Sequence, residues 1–152
     1  MAEVVIVMGS SSDLDTMKNC EKYLEHFGVS FETKIMSAHR NPEEVMNFSQ
    51  NAEKNGVKVI IAGAGMAAHL GGVIASHTIL PVLGVPLKGG FMDGLDALLS
   101  MVQMPAGVPV PTFAVGNAGA RNAAVAAVQI LALNDESYKA KLMEFKKSGS
   151  KL

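Results

Sequence analysis

Residues 4–13 read Val4-Val5-Ile6-Val7-Met8-Gly9-Ser10-Ser11-Ser12-Asp13, an unbroken apolar run that stops at a glycine and a polar turn. A strand that is apolar at every position is buried on both faces, as in a parallel sheet covered by helices. The next segment, Asp13–Phe27, sets Leu14, Met17, Cys20, Leu24 and Phe27 on one helical face, and Gly28 suits the C-terminal cap. Strand, turn and helix in that order open an α/β fold.

The rest of the chain repeats the alternation. Phe31–Met36 runs into Ser37-Ala38-His39-Arg40, and Val57–Ala62 runs into Gly63-Ala64-Gly65-Met66-Ala67-Ala68-His69. Asn41-Pro42 reads as a cap followed by proline at the first helical position, with Glu43 and Glu44 complementing the helix dipole. Further helices are expected over Ala67–His77, Leu95–Val102, Ala120–Leu133 and Glu136–Lys147, and further strands over Pro81–Pro86 and near Thr112–Val115. A flexible Lys88-Gly89-Gly90 loop follows the fourth strand. The expected architecture is a single three-layer, flavodoxin-like α/β domain over residues 1–152. Its parallel sheet has five strands in the order 2-1-3-4-5, and an extra helix ends the chain.

Composition narrows the function. The formal charge is -1 at pH 7, which offers no general attraction to nucleic acid or an acidic membrane. Hydrophobic residues make up 49% and charged ones 18%, below the usual charged share of about 25%. In so small a domain the surplus apolar surface points to a homo-oligomer. Val59–Leu87 and Ala97–Ala120 contain no Asp, Glu, Lys or Arg, yet His69, His77, Gln103, prolines and glycines interrupt them. They read as buried strands and glycine-rich loops rather than membrane spans. The N-terminus shows no signal-peptide pattern, and the lone Cys20 falls on the buried face of a helix, so the cytoplasm is the expected compartment.

In an open parallel sheet, ligands bind at the carboxyl ends of the strands. The turns there hold the chemistry. Gly9–Asp13 is an anion cradle: a glycine for close approach, serine hydroxyls, and the start of a helix. Asp13 either caps that helix or accepts hydrogen bonds from a ribose, and pattern alone leaves both open. His39 is the candidate proton carrier, since histidine exchanges a proton near neutral pH. Arg40 beside it offers a fork of donors for phosphate or carboxylate. His69 is equally well read as a buried, hydrogen-bonded histidine or a ligand contact.

Other readings fail on the residues. Gly63–Ala68 fits the loose dinucleotide pattern but follows the third strand, with no acid near position 83 for a ribose. No G-x-x-x-x-G-K-[ST] loop is present. A phosphorelay receiver needs an aspartate where Ala62-Gly63 stands, and flavin sandwiching lacks its aromatics, since Tyr23 and Tyr138 both fall on helices.

Five segments together carry a resemblance. They are Gly9-Ser10-x-Ser12-Asp13, Ser37-Ala38-His39-Arg40, Ala62-Gly63-Ala64-Gly65-x-Ala67-Ala68-His69-Leu70, Gln103-Met104-Pro105-x-Gly107-x-Pro109-Val110 and Gly116-x-Ala118-Gly119-Ala120-x-Asn122-Ala123-Ala124. In this order, over nearly the whole chain, they resemble the N5-carboxyaminoimidazole ribonucleotide mutase family of bacterial purine biosynthesis.

The resemblance implies transfer of a carboxylate from the exocyclic nitrogen of a ribonucleotide to a ring carbon, without metal, ATP or organic cofactor. It implies His39 as the acid/base, Ser10, Asp13 and Arg40 as nucleotide contacts, and Ser12, Ser37, Gly65, Ala67 and His69 around the pocket. It also implies an octamer with active sites at subunit contacts. One departure stands out: the family usually has proline after the His-Leu pair, where this chain has Gly71-Gly72, which is expected to loosen the turn holding His69. The nearest rival is the related direct carboxylase, which typically carries lysine at the position of Arg40. A non-catalytic nucleotide-phosphate binding domain is the rival of another class, and it would need the cradle and Arg40 but not His39.

Overall fold

The computed structural model describes Met1–Leu152. Four parallel strands, β1 (Val4–Met8), β2 (Phe31–Ile35), β3 (Val59–Ala64) and β4 (Val82–Pro86), form one sheet in the order β2-β1-β3-β4. Six helices cover it: α1 (Leu14–Phe27), α2 (Pro42–Asn51), α3 (Leu70–Ala75), α4 (Leu95–Val102), α5 (Asn117–Leu131) and α6 (Glu136–Lys147).

Alternation along the strands divides the core in two. Val4, Ile6 and Met8 of β1 face Met17, Leu24 and Ala124 of α1 and α5. Val5 and Val7 face the other way, toward Val45, Ile74 and Met101 of α2, α3 and α4. β1, β3 and β4 are buried throughout, while β2 at the edge is half-buried, with Ile35 at 50% exposure. Gly28 ends α1 at φ 67°, its N–H donating to the Glu25 carbonyl at 2.9 Å. Tyr138 and Phe145 bury the inner side of α6.

The expected fifth strand is not one. The chain after Pro109 follows β4 into fifth place but joins it by a single parallel bridge, Gly84 to Thr112. Gly84 N–H donates to the Pro111 carbonyl at 2.8 Å and Phe113 N–H to the Gly84 carbonyl at 3.0 Å. The next rung needs an N–H from residue 86, and Pro86 has none. Gly116 N–H then closes on the Pro86 carbonyl at 2.8 Å. The sheet therefore has four strands.

The third helix is shorter than expected. Met66 (φ 51°) and His69 (φ 55°) take left-handed conformations that no helix continues through, so α3 begins only at Leu70. Pro42 opens α2 as expected, but the Asn41 side chain makes no capping bond; instead the Asn41 N–H donates to the Ser37 carbonyl at 2.8 Å. No helix is long and apolar enough to cross a membrane.

Candidate active site

Strand register decides which turns meet. Met8 pairs with both Ile35 and Gly63, and Gly63 pairs with Val85, so the four strands finish level at one edge. The segments that leave this edge enclose a cavity of about 450 Å³. Its lining includes Ser10, Ser12 and Asp13 after β1, Ser37, His39 and Arg40 after β2, Gly65 after β3, and Lys88-Gly89-Gly90 after β4.

The β1 turn is a single 3₁₀ turn, Ser11–Asp13, held by Ser10. Ser10 Oγ accepts from the Ser12 N–H at 3.3 Å and from Ser12 Oγ at 2.9 Å, and the Ser10 carbonyl accepts the Asp13 N–H at 3.2 Å. Asp13 sits at the start of α1 yet its side chain caps nothing. The capping reading is thereby set aside, and Asp13 lines the cavity, with Ser12 Oγ donating to its carboxylate at 3.4 Å. Burial pushes its pKa above the usual value of 3.8, against the opposing bonds from Ser10 and Ser12.

The β2 turn is folded by Ser37. Its Oγ accepts the Arg40 N–H at 3.2 Å, which turns the chain so that His39 and Arg40 both stand on the cavity wall. Both are exposed, and neither side chain is engaged by another group of the chain, so both are free for a ligand.

The cavity brings together Ser10, Ser12, Asp13, Ser37, His39, Arg40 and Gly65, while Ala67 and His69 lie outside its lining. His69 Nδ1–H donates to the Ser100 carbonyl of α4 at 2.9 Å, which fixes the tautomer and ties the β3 turn to that helix. Its ring lies over Gly72, in space that a side chain there would occupy. Bare Gly72 thus gives the His69 ring its seat, while Gly71 beside it packs on Ala62 and Val110.

Sequence reasoning passed over the Lys88–Gly90 segment as a site. The rule that placed the other turns also covers this one, since it leaves the same sheet edge. Nor is the segment loose: Gly89 N–H donates to Asp93 Oδ1 at 3.1 Å and Phe91 N–H to Asp96 Oδ2 at 3.0 Å. Gly116–Gly119 serves as a tight helix entry, with bare Gly119 packed on the Ala114 carbonyl. No three His, Cys, Asp or Glu side chains gather into a metal-holding cluster.

Known proteins share this sequence and shape. The mutase of Vibrio parahaemolyticus, an N5-carboxyaminoimidazole ribonucleotide mutase, is 53% identical over 144 residues, spanning 95% of this chain and 89% of its own. The enzyme of that name from Pyrococcus horikoshii is also 53% identical over 144 residues, spanning 95% of this chain and 80% of its own. The crystal structure of Treponema denticola PurE superposes with a TM-score of 0.87 at 26% identity, covering 97% of this chain and 90% of that one. The sequence model of AIR carboxylase matches residues 3–151, and the chain belongs to that family.

Proposed function

We propose that the cavity isomerises N5-carboxyaminoimidazole ribonucleotide to 4-carboxy-5-aminoimidazole ribonucleotide in purine biosynthesis. The observation that carries this reading is the convergence of the Ser10–Asp13 turn and the Ser37–Arg40 turn on one cavity, in a chain about half identical to mutases along nearly its whole length.

Arg40 and the serine cradle hold the phosphate, and Asp13 accepts from the ribose hydroxyls. The N–C bond to the carboxylate breaks first, releasing carbon dioxide and leaving the electron pair on the nitrogen. His39 gives that nitrogen a proton. The ring carbon then attacks the carbon dioxide, and His39, now a base, removes the proton from that carbon. The second transfer restores the first state of the histidine, so the cycle needs no external acid, cofactor or metal. Acid–base help of this kind is worth about 10²–10⁴ in rate.

Recapture demands confinement, since escaped carbon dioxide would be dilute. His39 and Arg40 are exposed in the single chain, which supports closure of the site by another subunit. Met66 on the cavity wall, and Phe91 and Met92 just beyond the Lys88–Gly90 segment, at 64%, 68% and 69% exposure, supply apolar surface for that contact. A cytoplasmic homo-octamer with sites at its subunit contacts is the assembly we infer.

The test is formation of 4-carboxy-5-aminoimidazole ribonucleotide with bicarbonate scrubbed and then restored. Conversion of the N5-carboxylated substrate without bicarbonate is expected. Activity only with aminoimidazole ribonucleotide plus bicarbonate would transfer the chain to the direct carboxylases. Inactivity with both, in folded protein, would leave a binding domain.

A further inference from the structure

Lys88 stands two residues past the end of β4 and lines the same cavity as His39 and Arg40. Its stem is seated. The Cγ and Cε carbons lie 3.4 Å from where a side-chain carbon of Gly116 would stand, so bare Gly116 (φ 81°) gives the stem a floor.

Its ammonium has no internal partner. The ion pairs of the molecule join Lys34 to Glu32, Lys58 to Glu3 and Lys139 to Glu136. The acids of its own loop are engaged elsewhere: Asp93 holds the Gly89 N–H, and Asp96 holds the N–H groups of Phe91 and Ala97. The cavity thus carries two cationic side chains, Arg40 and Lys88, against the single carboxylate of Asp13.

Strand order separates the two cations. Arg40 follows β2 and Lys88 follows β4, three strand spacings apart in the order β2-β1-β3-β4. At the usual spacing that is about 14 Å. The serine cradle stands on Arg40's side, after β1. A ligand with an anion at each end meets both cations without either side chain reaching across the crevice.

We propose that Lys88 is the second anion-binding side chain of the cavity, and that its ammonium takes the ring carboxylate of the product at the end of the ligand opposite the phosphate. The assignment rests on the function proposed above and adds a residue to it. It also gives the ammonium a place in the reaction. Carbon dioxide is neutral and gains its negative charge as the ring carbon attacks, so the ion pair with Lys88 strengthens as the new bond forms.

Calorimetric titration with two nucleotides tests this: aminoimidazole ribonucleotide, which has the phosphate alone, and 4-carboxy-5-aminoimidazole ribonucleotide, which has both anions. Lys88→Met keeps the stem and removes the charge. It is expected to weaken the carboxylated nucleotide by about tenfold or more while leaving the other within about twofold, and Lys88→Arg is expected to restore most of the loss. Equal weakening of both nucleotides would assign Lys88 to the phosphate and overturn the proposal. So would unchanged binding of both, with the wild type turning over normally. A wild type that binds neither nucleotide would instead bring down the function itself, and this inference with it.

Discussion

The ring of His69 lies over Gly72, in the space a side-chain carbon at residue 72 would fill. His69 also stands in the left-handed region at φ 55° and donates to the Ser100 carbonyl at 2.9 Å. The missing side chain, the strained turn and the hydrogen bond form one device that docks the β3 turn onto α4. Gly72→Ala forces the ring aside and is expected to cost about 1–3 kcal/mol, the usual penalty for overpacking. A side-chain carbon on neighbouring Gly71 would meet Ala62 and Val110 at an ordinary 3.6 Å. Gly71→Ala should therefore stabilise by about 0.4–1 kcal/mol through the unfolded chain. Urea melts of the two variants should move in opposite directions.

Tyr138 ties the last helix to the start of the first strand. Its hydroxyl donates to Glu3 Oε2 at 2.6 Å, and Lys58 Nζ holds Glu3 Oε1 at 2.7 Å. Burial and the neighbouring Glu3 carboxylate push the tyrosine up to about 12. Burial alone would raise the Glu3 carboxyl, but the Lys58 and Tyr138 donors outweigh it and hold the pKa below 4.5. A depressed acid stabilises the fold above its unfolded pKa and loses that contribution as pH falls through the folded one. Tyr138→Phe should cost about 1–2 kcal/mol at neutral pH. The difference from wild type should shrink in melts taken below pH 4.5.

These ties show where sequence stops being legible. The β1 bounds, the Gly28 cap, Pro42 at the head of α2 and the meeting of the β1 and β2 turns all follow from local pattern and the parallel-sheet rule. The fifth strand fails through Pro86, whose missing N–H matters only once the chain opposite it is known. The end of the third strand and the start of the third helix shift because Met66 and His69, neither a glycine, adopt left-handed turns that the tertiary contacts impose. His69 was readable as a polar residue after a strand, but its direction depends on Ser100, thirty-one residues away. Lys88 was readable by the strand-end rule and hidden by the glycines beside it.

Asp13 is held in the cavity at a cost to the fold. Burial raises its pKa, so the native state binds a proton that the unfolded state releases in the window just above pH 3.8. Stability from this group therefore falls as pH rises through that window. Asp13→Asn should melt higher than wild type at pH 7, and the gain should vanish below pH 3.8, where both states are protonated. The same variant should bind nucleotide about tenfold more weakly, as loss of a charged acceptor predicts. Equal melting temperatures at pH 7 would show that the carboxylate is not strained by its site.

Cys20 should be chemically silent. It is fully buried between α1 and α5, its thiol donates to the Ala120 carbonyl at 3.1 Å, and burial pushes its pKa to about 12. At pH 8 the thiolate fraction is on the order of 10⁻⁴, and the thiolate is the reactive form. Iodoacetamide should leave the native protein unmodified over hours and label it fully in denaturant. Labelling of native protein at the denatured rate would mean that the α1–α5 contact opens freely.

His39→Asn separates chemistry from binding. The Arg40 N–H bond to Ser37 that shapes this turn uses no atom of the His39 ring, so the turn should survive the change. Asparagine is polar and near enough in size to leave the cavity wall intact, but its amide neither gives up nor takes a proton near neutral pH. Nucleotide affinity should therefore stay within about tenfold, or 1.4 kcal/mol. Turnover should fall by about 10²–10⁴, the range for loss of a general acid–base group. If the histidine acts twice, giving a proton to nitrogen and taking one from carbon, both halves of the reaction stall together. The variant should then fail to release carbon dioxide from the substrate as well as fail to form product. Rapid carbon dioxide release without product would mean that His39 serves only the second step, with another donor protonating the nitrogen.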